Sequence, residues 1–455
     1  MSSPRTGKQQ LLRCIHAISL IALVLGCSSA SAGDRTTLRI WAMGREGEVL
    51  SQLMPAFEKS HPNIHVEVQQ IPWTAAHEKL LTSYVGESTP DIAMLGNTWV
   101  PEFVALNSLE PLDSLARSSS EIRRDDFFDG IWKTNVVNGK TYGIPWYVDT
   151  RLIYYRTDLL AKAGYREFPK TWDGWIAAMK KIKQGMTPNQ APLLMPTNEW
   201  PQPVIFALNV GSPILRDGGR YGAFQQPPFR EGFNFYLNFY RQGLASPLSS
   251  SQVSNLYQEF ERGNIAMFIS GPWLIGEMKT RLDSVTQKNW MTAAMPGPNG
   301  PGVSTAGGSS LSLFAASKHK KEAWQLMEYL SRPAVQLEFY QLTGDLPPRK
   351  SAWQDTALAN NKYALAFRDQ LERVVPTPQV PEWEEIATTI FEHGEQAIRG
   401  VKTVDQTLAS LDADVNAMLE KRRYLLSQES RPCWRRALPA MWAKRHGCSW
   451  RRRWR

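Results

Sequence analysis

The sequence predicts an α/β protein of two lobes joined by a crossover, and three observations carry the prediction. Strand-like and helix-like patterns alternate from residue 38 to residue 95. The stretch 143–155 then ends the first α/β pattern and begins a second. A Pro/Gly-rich run at 296–308 leads into a further apolar strand. At 455 residues, 42% of them hydrophobic, the chain has enough apolar material for two cores of ordinary size.

The elements follow in order. Residues 38–41 read as a short strand, and Val49, Leu50, Leu53, Met54 and Phe57 then recur at helical spacing. Pro62 ends that region. Ile64, Val66 and Val68 alternate as a second strand, a helix is expected around 77–84, and 91–95 reads as a third strand. A β-α-β-α-β order implies parallel strands with helices on the faces of the sheet. Ligands of such sheets bind beyond the carboxyl ends of the strands, which here carry residues 42–46 and Gly96-Asn97-Thr98-Trp99. Past the crossover, Thr171 caps a helix whose apolar side holds Trp175, Ile176, Met179 and Ile182. A helix rich in Phe and Tyr runs near 230–242 and stops at Gly243. Residues 260–273 read as helix end, glycine cap, strand, turn and new helix, which places Trp273 at the C-terminal end of a strand. Residues 309–315 form the strand after the connector. The capping box Thr403-Val404-Asp405-Gln406 opens a last helix with Leu408, Leu411, Val415 and Met418 on one side.

Charge and cysteine usage bound the function. Of the formal +9, residues 1–26 contribute +3 and residues 424–455 contribute +8, which leaves −2 for 27–423. Nothing in that balance suggests a nucleic-acid partner. The N-terminus reads as an export signal over 1–26: Arg5, Lys8 and Arg13 precede an apolar run too short to span a bilayer. Val24-Leu25-Gly26-Cys27 resembles a bacterial lipobox, which would leave Cys27 lipidated and 27–35 as a tether. Ala30-Ser31-Ala32 offers an alternative cleavage that would release a soluble protein starting at Gly33. Cysteines stand only at 14, 27, 433 and 448, so the body folds without a disulfide. The basic, Trp-rich tail 424–455 is expected to be unstructured.

A neutral oligosaccharide presents apolar C–H faces and a rim of hydroxyls. Aromatic planes suit the faces, and carboxylates accept the hydroxyl hydrogens. Asp149 directly follows Trp146, Tyr147 and Val148 at the crossover, so Asp149 is a candidate acceptor and Trp146 or Tyr147 a candidate cleft aromatic. The alternative for either ring is hinge packing, since large aromatics are usually core. Asn97, Thr98 and Trp99 are candidates by their strand-end position, with Thr98 as a helix cap the other reading. Gly307 and Gly308 could offer backbone N–H groups or serve as plain hinge. Trp200 and Trp383 are further aromatic candidates.

Several ordered motifs resemble the family 1 extracellular solute-binding proteins of bacterial ABC importers. The resemblance covers about residues 36–423 and rests on 143–160, on Phe168-Pro169-Lys170-Thr171-Trp172-Asp173, on 260–273, on Pro378-Gln379-Val380-Pro381, and on 403–408. It implies a periplasmic-binding-protein fold: two α/β lobes, a hinge of three crossings, and a ligand cleft between the lobes. The lobes would divide as 36–145 with 305–352, and 146–304 with 353–423. It further implies that Trp273 stacks on sugar, that Glu46 is a ligand acid, and that Arg349 reads the ligand as in α-glucoside binders. Maltose- and trehalose-type binders are the subfamily it resembles. The expected protein is a periplasmic, monomeric binder of a small sugar with an ABC permease as partner, no cofactor, no metal and no catalysis.

Two rival classes stand beside this reading. An exported glycoside hydrolase also needs aromatics and a carboxyl pair. A binder of a metal, polyamine or phosphate ester is the other. Pro62 between His61 and His65 disfavours one helical metal face, and metal and nucleotide motifs are absent from the sequence. A glycerophosphodiester binder would need extra cleft cations, for which Arg45 and Arg151 are candidates.

Overall fold

The computed structural model describes residues 35–188, 190–253 and 255–429. The export signal, the lipobox with Cys27, most of the tether and the tail from 430 onward lie outside them. The strands that build the site are β1 (Thr36–Met43), β2 (Ile64–Ile71), β3 (Ile92–Gly96), β4 (Ile144–Asp149), β5 (Leu152–Arg156), β6 (Leu193–Leu194), β7 (Met267–Ser270), β8 (Trp290–Ala293), β9 (Ser304–Leu313) and β10 (Val374–Pro376). Helix α1 (Gly44–Ser60) links β1 to β2, and α2 (Trp73–Val85) links β2 to β3.

The first sheet runs β10-β9-β3-β1-β2, with β4 also paired to β9. β1 is parallel to β2 from Thr36↔Ile64 to Met43↔Ile71 and parallel to β3, as the alternating pattern predicts. β9 is antiparallel to both β3 and β4. The second sheet runs β8-β5-β7-β6, antiparallel except between β7 and β6. Each lobe has its own core. Leu38, Ile40, Leu53, Phe57, Met94 and Phe103 belong to the first; Trp175, Phe206, Phe233, Tyr236 and Ile386 belong to the second. The helix Trp172–Gln184 is capped by Thr171, whose Oγ1 accepts from the Gly174 N–H at 3.2 Å. Thr403 and Gln406 form the expected reciprocal capping box. The final helix, Glu420–Glu429, continues beyond the point near Arg423 where the sequence pattern fades.

The crossing between the lobes is narrow. The chain leaves the first sheet at Asp149 and enters the second at Leu152, so the division read at 145/146 falls inside β4. β9 also begins earlier than expected, at Ser304 rather than 309. Its first residues, Ser304–Ala306, pair with β10, and Gly307 to Leu311 pair with β4. A third buried cluster lies at this junction and contains Phe128, Val148, Leu152, Tyr154, Trp290, Trp353 and Val374. Among the described residues, no helix is long and apolar enough to cross a membrane.

Candidate functional site

The strand ends of the first lobe, the crossing and two second-lobe tryptophans enclose a cavity of about 490 Å³. Glu46, Asn97, Thr98, Trp99, Tyr147, Asp149, Trp273, Gly307 and Gly308, all candidates from the sequence, line it. Trp200, the further aromatic candidate, lines it as well, together with Trp73 and Asp345, which the sequence reading did not single out.

Glu46 is placed by the turn from β1 into α1. Gly44 makes that turn at φ +52°, and a Cβ there would stand 2.8 Å from the Trp73 ring. The missing side chain therefore lets Trp73 close over the Glu46 carboxylate, which accepts from Trp73 Nε1 and the Tyr147 hydroxyl. Tyr147 in turn accepts from Ser309 Oγ at 3.0 Å. Burial raises the Glu46 pKa although these hydrogen bonds oppose the shift. Asp345 is pushed well above the usual carboxylate range, first by burial and next by the charge of Glu46. Burial and those two carboxylates likewise hold the Tyr147 phenol well above its ordinary value.

Asp149 ends β4 at the crossing. Arg151 Nη1 reaches its two carboxyl oxygens at 2.8 and 2.9 Å, and the Arg151 guanidinium lies 4.5 Å from the Trp273 ring centroid. Burial still raises the Asp149 pKa, the largest influence on it, while Arg151 lowers it. Arg151 is thus already paired and stacked, unlike the free anion donor that a phosphodiester reading requires. Trp273 itself is 39% exposed, at the start of the helix Leu274–Arg281 that follows β7. Gly308 has φ +117°, and a Cβ on it would lie 2.2 Å from the Tyr147 carbonyl oxygen. Its role is to let β9 approach β4 closely, inside a strand and not in a loop. Asn97 Nδ2 donates to Thr134 Oγ1 at 2.7 Å, and its N–H donates to the Gly308 carbonyl at 3.1 Å. On the first-lobe side Trp73, Trp99 and His77 form an aromatic group, with ring centroids 5.7 Å apart for the tryptophan pair and 5.0 Å for Trp99 and His77.

Three sequence candidates lie elsewhere. Trp146 alternates with Tyr147 on β4, faces the first-lobe core and stacks on Phe339 at 4.3 Å. Trp383 is fully buried in the second-lobe core, edge-on to Trp200 at 5.4 Å. Arg349 points away from the cavity: its Nε donates to Asp126 at 2.7 Å, and its Nη1 donates to the carbonyls of Glu121 and Ser331. Both members of that ion pair are buried, so Arg349 neutralises an interior acid. The same loop supplies the cleft with Asp345 instead. Val148 N–H donates to the Leu346 carbonyl, which lays the loop beside β4 and sets which of its residues face the cleft. No local motif marks Asp345. Trp73 did carry a signal, because it follows the C-terminal end of β2 as Glu46 and Asn97 follow β1 and β3.

The fold defines a two-lobe α/β protein with a candidate ligand cleft at the interlobe crossing. Residues 42–337 match the model of the bacterial extracellular solute-binding protein family, and the chain belongs to that family. It is similar to the sugar-binding protein MalE from Xanthomonas citri, at 48% identity and TM-score 0.84, over 86% of this chain and all of that one. It is 25% identical to the diacetylchitobiose-binding protein DasA of Streptomyces coelicolor, over 83% of this chain and 90% of that protein. It is 24% identical to a galactooligosaccharide-binding protein of Bacillus subtilis, over 79% of this chain and 84% of that protein. These relatives are binders and not enzymes, and the family is extracellular by description.

Proposed function

We propose that the protein captures a neutral oligosaccharide of the α-glucoside type, maltose- or trehalose-like, and hands it to an ABC permease after cleft closure. The observation that carries this is the joining of Trp73, Trp99, Trp200 and Trp273 with Glu46, Asp149 and Asp345 around one cavity. Rings take the apolar faces of a sugar, and the acids accept its hydroxyls. Three carboxyls and a paired Arg151 disfavour an anionic ligand, which supports a sugar over a glycerophosphodiester. Similarity to sugar binders supports the same class. Closure draws its energy from contacts made only when both walls touch the ligand. The protein works as a monomer, in the periplasm, anchored through a lipidated Cys27; palmitate labelling lost in Cys27→Ser tests the anchor.

Intrinsic tryptophan fluorescence tests the ligand class. Titrating residues 33–429 with maltose, trehalose, sucrose, maltotriose and a glycerophosphodiester should give a saturable response to one neutral sugar. Response to the charged ligand alone would overturn the proposal.

A further inference from the structure

Glu46 and Asp345 come from distant parts of the sequence, α1 and the loop after the helix Pro333–Thr343, yet they meet in the cleft wall. They are 8% and 7% exposed. Among the described residues neither carboxyl has an ion-pair partner; Arg151, at the crossing, is held by Asp149. Two ionised carboxylates at hydrogen-bonding range in a buried wall repel strongly, and one proton between them removes that cost. The donors around the pair are fixed: Trp73 Nε1 and the Tyr147 hydroxyl serve Glu46, while Thr343 hydrogen-bonds Asp345.

We propose that Glu46 and Asp345 form a carboxyl dyad joined by one shared proton. Held this way, the dyad turns an oxygen of each residue toward the cleft and accepts two neighbouring hydroxyls of one sugar ring. This rests on the sugar-binding proposal and adds to it a charge state and a geometry: one negative charge, two acceptors, a vicinal diol. Loss of the proton drives the carboxyls apart and breaks the acceptor pair. Burial raises both carboxyls, and the charge of Glu46 raises Asp345 further, consistent with a retained proton. The other titratable groups facing the pair are Tyr147, held protonated far into the alkaline range, and Asp149 with its partner Arg151. His77, on α2 beyond Trp73, is paired with Glu102.

The test compares wild type with Asp345→Asn between about pH 5 and pH 9, where the amide N–H replaces the shared proton and cannot be lost. Without ligand, a raised carboxyl pKa contributes stability below the unfolded carboxylate range and loses it as pH rises through the folded value. Wild type should therefore fall behind Asp345→Asn with increasing pH, by about 2 °C or more in Tm. With maltose, trehalose and maltotriose in calorimetric titrations, wild-type affinity should fall by about tenfold per pH unit above the dyad's ionisation. Asp345→Asn should bind a few-fold more weakly than wild type at acid pH, with no such fall. Parallel stability curves would overturn the shared proton. Diverging curves with equal pH profiles of binding would overturn its role in holding sugar. Diverging curves with no binding of any sugar at any pH would instead sink the sugar reading and leave the dyad standing.

Discussion

The first-lobe wall of the cleft holds Glu46, Tyr147 and Asp345, all nearly buried and with Glu46 between the other two, whereas the second-lobe wall presents Trp273 at 39% exposed and Trp200 half-buried. One wall has its polar geometry set before any ligand arrives. The other keeps apolar area in water, and covering that area would be the gain from the proposed closure. The same division separates neighbours in sequence: Trp146 stacks on Phe339 in the core, and Tyr147 faces the cleft.

That comparison can be broken by mutation. Trp146→Ala should cost about 3–5 kcal/mol of stability, the range for truncating a buried large aromatic. Chemical denaturation would measure it; a loss below about 1 kcal/mol would remove Trp146 from the core account. Trp273→Ala should leave stability nearly unchanged and weaken sugar binding by about 2 kcal/mol, close to 30-fold, as expected for an aromatic anchor. Equal affinity in wild type and variant, read by calorimetry, would take stacking away from the second wall. The smallest effect concerns His77 beside Trp99. Its hydrogen bond to Glu102, the largest influence, raises its pKa against partial burial. The stability it contributes is full below the unfolded histidine pKa and lost as pH rises through the higher folded value. His77→Gln should flatten that decline in a Tm-against-pH series; an unchanged slope would exclude the pair as its source.

Much of the fold was legible because it is local. The 3.6-residue and 2-residue periodicities marked α1 and β2, a short apolar run marked β3, and the hydroxyl caps at Thr171 and Thr403 act within three residues of themselves. Most of the site was legible for a related reason: parallel strands carry ligands at their carboxyl ends, so Glu46 and Asn97 could be placed once β1 and β3 were read. The loop 344–349 shows where local reading stops. A charge in a loop is a candidate whichever way it points, and here Arg349 turns to Asp126 while Asp345 turns to Glu46.

The sequence by itself determined the alternating α/β pattern, the crossover, the disulfide-free body and the run of strand-end candidates, since each depends on neighbours along the chain. Only the tertiary structure decided that β9 runs antiparallel to β3 and β4, which aromatics are core, and that Glu46 and Asp345 share a wall. Those facts depend on residues up to hundreds of positions apart meeting in space, and burial acts on a side chain only after the whole chain has enclosed it.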